Sequence, residues 1–148
     1  MRNLLLFLHV AGAIFWMGGM AFMVLALRPA AHAQLQPPVR LPLMVDVLRR
    51  FFTVVLASIA VLLATGLWLM LSVPGGRAPL GWHVMAGLGV AMMLVFAHIW
   101  FAPWRRLRAA VAAQDWPEGG KRMNQIALLV KVNLGLGWLA IAAVFLWG

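Results

Sequence analysis

Three histidines sit inside stretches otherwise built for an oily environment: His9 in LHVAGAIFWMGG, His83 in GWHVMAGLGV and His98 in LVFAHIW. Imidazole is an axial ligand for haem iron and a donor to copper. Lys131, in LLVKVNLGLG, adds a fourth ionisable group in the same setting. A lysine at the centre of a membrane span costs roughly 2.5–3.5 kcal/mol on insertion scales, so such groups usually point into a bundle or a cavity; the ordinary alternative is a side chain that snorkels to the head groups. Thioethers are the other soft donors. Met17, Met20 and Met23 recur at i, i+3 and i+6, and Met85 and Met92 are seven apart. With imidazole they suit Cu(I), although methionine is also an ordinary filler of irregular apolar space.

What is missing narrows the chemistry. There is no cysteine, and the three acidic residues, Asp46, Asp115 and Glu118, all fall in basic connections. Thiolate sites, iron–sulfur clusters and paired-carboxylate acid–base machinery are therefore set aside. No phosphate-cradling glycine loop is present.

The elements that position these groups follow from composition. The chain has 148 residues, 65% of them hydrophobic, and a mean hydropathy of +0.96. A soluble domain of this size cannot hide that much apolar surface, so the bilayer must act as solvent. Four windows, about 3–27, 51–73, 80–104 and 123–147, are long enough to cross a hydrocarbon core of ~30 Å as helix. The first is too long for a secretory signal and lacks its cleavage pattern. The expected fold is all-α, a single four-helix transmembrane domain over residues 1–148.

The connections are proline-broken and basic. Residues 28–50 carry Arg28, Arg40, Arg49 and Arg50, residues 105–122 carry Arg105, Arg106, Arg108, Lys121 and Arg122, and the turn at 74–79 carries Arg77 alone. Short loops rich in Lys and Arg stay in the cytoplasm. Both termini are thus expected outside a bacterial inner membrane. The net charge of +9 reads as a topology signal and a partner for anionic lipid head groups, not for nucleic acid.

That orientation fixes depths. His9 lies about six residues, roughly 9 Å, inside the outer end of its span, and His83 about three residues inside. His98 is ~22 Å deeper than His83 and rotated only ~60° from it. Gly87, Val90 and Leu94 fill the stripe between them. Lys131 lies near the depth of His98, on a face shared with Asn124, Gly135 and Trp138. His9 shares a face with Gly12, Trp16, Met20 and Met23.

The reading that uses these features together is a haem b protein. His9 and His83 would ligate one iron from two helices, with Trp16 on the ring side and Arg77 near the propionates. Lys131 would raise the potential, and electrons would pass to a quinone or another small apolar partner. His98 and His32 are the candidates for a second, inner haem. The alternative is copper handling through His and Met; a third reading is a structural subunit whose polar groups only join helices. The Gly- and Trp-rich faces are also compatible with a homo-oligomer.

A family resemblance adds to this. LHVAGAIFWMGGMAFMVLALRPA and RRFFTVVLASIAVLLATGLWLM resemble the first two helices of the CopD copper-resistance family and of the related HemJ-type protoporphyrinogen oxidases. GWHVMAGLGVAMMLVFAH and RMNQIALLVKV are similar to the third and fourth helices of the HemJ type. The resemblance implies His9, His83 and His98 as haem-associated positions, and Arg28, Arg122 and Asn124 as polar positions at the inner surface. Two departures weigh against porphyrinogen oxidation: Gln125 stands where the HemJ-type pattern has Glu, and Met85 where it tends to have Lys.

Overall fold

A computed structural model describes residues 1–148. Four long helices follow one another, with no strand: α1 (Arg2–Gln34), α2 (Pro37–Leu71), α3 (Leu80–Ala112) and α4 (Trp116–Trp147). Each is long and apolar enough to cross a membrane. The expected spans are all present, but each extends beyond its apolar window, and most of the expected connections at 28–50 and 105–122 are helical.

Proline chemistry explains the difference. Pro29 has no N–H to continue the ladder, and its ring crowds the carbonyl four residues back, which normally ends a helix. Here the chain passes through a wide π turn at Met23–Leu27, where the Arg28 N–H reaches back to the Met23 carbonyl, and the helix continues to Gln34. Pro37 and Pro38 open α2, where the first N–H groups need no partner. In α3 the backbone breaks at Ala102 (φ −116°, ψ −88°), and Pro103 starts the last ten residues. The WPEGG segment, which reads as a stop, is a start: the Asp115 carboxylate accepts from the Glu118 N–H at 3.2 Å and caps α4.

The helices pack chiefly as two hairpins, α1 along α2 and α3 along α4, with α4 also touching α1 and α2. At ~1.5 Å per residue each is ~50 Å long, well beyond the ~30 Å of hydrocarbon. The excess lies at the basic end, and the buried core is concentrated toward that end. Leu41, Leu48, Leu107 and Ile126 are fully enclosed there. The Phe52 ring meets Phe96 at 5.3 Å and Trp104 at 5.1 Å, both edge-on. Near water, apolar side chains gain by packing on each other. In lipid they gain little, since acyl chains are as apolar as leucine. The half that carries the termini accordingly leaves Leu4, Phe7, Leu67, Leu71, Phe145 and Leu146 exposed. Close helix approach there relies on small residues: a Cβ on Gly81 would collide with the Ala143 carbonyl.

Candidate functional site

Of the four histidines, His9 alone has a hydrogen-bonded seat. It is half-buried between α1 and α2, and its Nδ1 lies 2.9 Å from the Thr65 hydroxyl. That hydroxyl has one proton, already donated to the Val61 carbonyl at 2.6 Å. The shorter contact assigns that proton to Val61, so Thr65 accepts from the imidazole, the Nδ1 of His9 carries the proton and its Nε2 keeps a free lone pair. The next residue makes the room: a Cβ on Gly66 would lie 3.0 Å from His9 Cε1. A ring held by one nitrogen with the other free is the arrangement metal-binding histidines use.

The remaining predicted positions divide clearly. On α1 the face is as expected: Gly12, Trp16, Met20 and Met23 are buried, with Trp16 part of the core. On α3 the expected stripe is real but points outward, because His83, Gly87, Val90, Leu94 and His98 are all exposed. On α4 the same holds for Asn124, Lys131, Gly135 and Trp138. The face α3 buries is that of Gly81, Met92, Phe96 and Ile99. Both helices are apolar nearly all round, so periodicity alone cannot say which side is inside.

The expected iron pair, His9 and His83, lies on two different hairpins. His9 belongs to the α1–α2 hairpin and is half-buried, while His83 belongs to the α3–α4 hairpin and is exposed. Arg77 is exposed on the turn. No three of the His, Asp or Glu side chains gather into one cluster. Arg28 and Asn124, singled out separately in the sequence, do meet: the guanidinium donates to the Asn124 carbonyl oxygen. His32 is exposed and lines the same cleft as both. Arg122 is held by Glu118 at 2.6 Å and by Gln125 at 3.1 Å.

A second group of donors lies toward the bundle centre. The Met17 sulfur sits where a Cβ on Gly137 would be, and the Met92 Cε comes within 3.2 Å of the same point. One turn before Gly137, Asn133 is 2% exposed; it donates to the Met92 carbonyl at 3.2 Å, and its Oδ1 has no partner. Sequence reasoning missed both Thr65 and Asn133. The signal was there for each: a lone hydroxyl before a glycine in LLATGLW, and a lone amide in KVNLGLG.

The soft donors and apolar helices invite comparison with known proteins. The profile of copper resistance protein D, CopD, matches residues 45–147. The chain belongs to the CopD family. It is 31% identical over 139 residues to an uncharacterized protein of Aquifex aeolicus, covering 92% of this chain and 94% of that one. No solved structure matches it. With four helices able to span a bilayer, this CopD-family chain is a multi-pass protein of the bacterial inner membrane, related to copper resistance.

Proposed function

We propose that the chain binds Cu(I) within the membrane, with His9 as an imidazole ligand and the thioethers of Met17 and Met92 as a deeper station. The observation that carries this reading is the His9–Thr65–Val61 relay, which leaves a bare imidazole nitrogen in an apolar setting. Imidazole and thioether are soft enough for Cu(I), and none of the three acidic residues lies near. From His9 to Met17 along α1 is ~12 Å, so the two stations are separate steps inward from the terminal end. Membership of CopD supports copper as cargo.

The haem reading has less behind it. Its two axial histidines occupy different hairpins, one of them exposed, and the family points to copper.

Cu(I) binding by the purified protein in nanodiscs, followed by competition with a chromogenic chelator, tests the proposal. Two equivalents are expected, one lost in His9→Ala and the other in Met17→Leu/Met92→Leu. Retention of both equivalents in His9→Ala would overturn it. A Soret band in the as-purified protein, lost with His9, would return the site to haem.

A further inference from the structure

We propose that the basic end of the bundle holds a specific seat for one anionic phospholipid. Two adjoining clefts share Arg28 and Met123. One is an open cleft of mixed lining, with Arg28, His32, Arg40 and Asn124 as its polar groups. The other is a shallow apolar groove open to the surroundings; Met23, Val24, Ile126 and Val130 form its walls, and Lys131 lies at its far end. Met123 and Lys131 are eight residues apart on α4, so the apolar groove runs ~12 Å along the helix toward the membrane interior.

The charge in these clefts is uncompensated. Arg28 and Arg40 line the first, Lys131 the far end of the second, and no acid lines either. Asp46 is bound to Arg50, Glu118 to Arg122, and Asp115 caps α4. The two arginines are nevertheless held in place by neutral acceptors: Arg28 by Asn124, and Arg40 by the Leu35 carbonyl at 3.2 Å. Two oriented guanidinium groups facing one cleft match the oxygens of a phosphate diester. The open apolar groove beside them gives an acyl chain a surface to lie along. A free phosphate would leave that groove empty, and a copper ion would be repelled, so this seat is separate from the proposed metal path. Basic pockets between helices on one side of a membrane are a known form of lipid recognition.

Native mass spectrometry of the full chain, released from nanodiscs of mixed phosphatidylglycerol and phosphatidylcholine, reads the occupancy directly. One phosphatidylglycerol should be retained with a preference over phosphatidylcholine of roughly thirtyfold. Arg28→Gln/Arg40→Gln should abolish the preference. Arg40→Gln alone, which leaves the Arg28–Asn124 bond intact, should reduce it several-fold. Arg105→Gln/Arg106→Gln removes the same charge from exposed positions and should leave it unchanged. Equal loss in both double variants would mean diffuse surface attraction and overturn the seat. Displacement of the lipid by millimolar inorganic phosphate would identify a free-anion site and overturn the lipid assignment.

Discussion

Replacing Thr65 with valine keeps the shape of the side chain and removes only its hydroxyl. Thr65 is 5% exposed, so water cannot take its place. The helices lose one interhelical hydrogen bond, which in membrane proteins averages ~0.6 kcal/mol and reaches ~1.7 kcal/mol. Folding should therefore change by about 1 kcal/mol or less. The effect on metal should be larger. Without an acceptor 2.9 Å from Nδ1, the ring is free to move its proton to Nε2, the nitrogen proposed to bind copper. Loss of such an outer partner typically costs 10–100-fold in metal affinity, about 1.4–2.7 kcal/mol. Chelator competition on Thr65→Val should show that drop with a nearly unchanged melting temperature, and Thr65→Ser should restore binding. If Thr65→Val binds Cu(I) as the natural protein does while His9→Ala does not, the tautomer argument is refuted. Equal binding by all three would remove His9 from the site.

Other perturbations probe the frame. Gly66→Ala should push the His9 ring through its 3.0 Å contact and weaken copper binding several-fold, measured by the same competition. Gly81→Ala, which sets a methyl against the Ala143 carbonyl, should destabilise the α3–α4 hairpin by ~1–3 kcal/mol in a thermal melt, the usual cost of overpacking. Asp115→Ala removes the cap of α4 and should cost ~1 kcal/mol, with Asp115→Asn recovering most of it. Alkaline phosphatase fused after Gly148 should be active, because the arginine-rich connections are expected to remain in the cytoplasm.

The four spans and the buried face of α1 were legible because a bilayer demands long apolar helices, and because glycine, tryptophan and methionine follow His9 at helical spacing on that face. The orientations of α3 and α4 were not legible. Their outward faces carry His83, His98 and Lys131, and intramembrane polar residues usually mark the inside. What decides the packing is a set of small or sulfur-bearing residues, Gly81, Met92 and Gly137, that look unremarkable among apolar neighbours. The helical extensions were hidden by prolines read as breaks. A π turn before Pro29 and first-turn positions for Pro37, Pro38, Pro103 and Pro117 absorb most of them, and Pro42 is carried inside α2. Of the site, His9 was visible as a residue, but its state depends on Thr65, 56 positions away.

The π turn at Met23–Leu27 has an evolutionary consequence. A widened turn holds one residue more than an α-helical turn, so everything after it is rotated by ~100° relative to an uninterrupted helix. That rotation sets the direction in which Arg28, the next residue, leaves the helix toward Asn124. A relative whose first helix lacks a proline at position 29 would need one residue fewer before its arginine to aim it the same way. Single-residue insertions and deletions among homologues should therefore cluster between positions 23 and 27 and accompany the gain or loss of that proline.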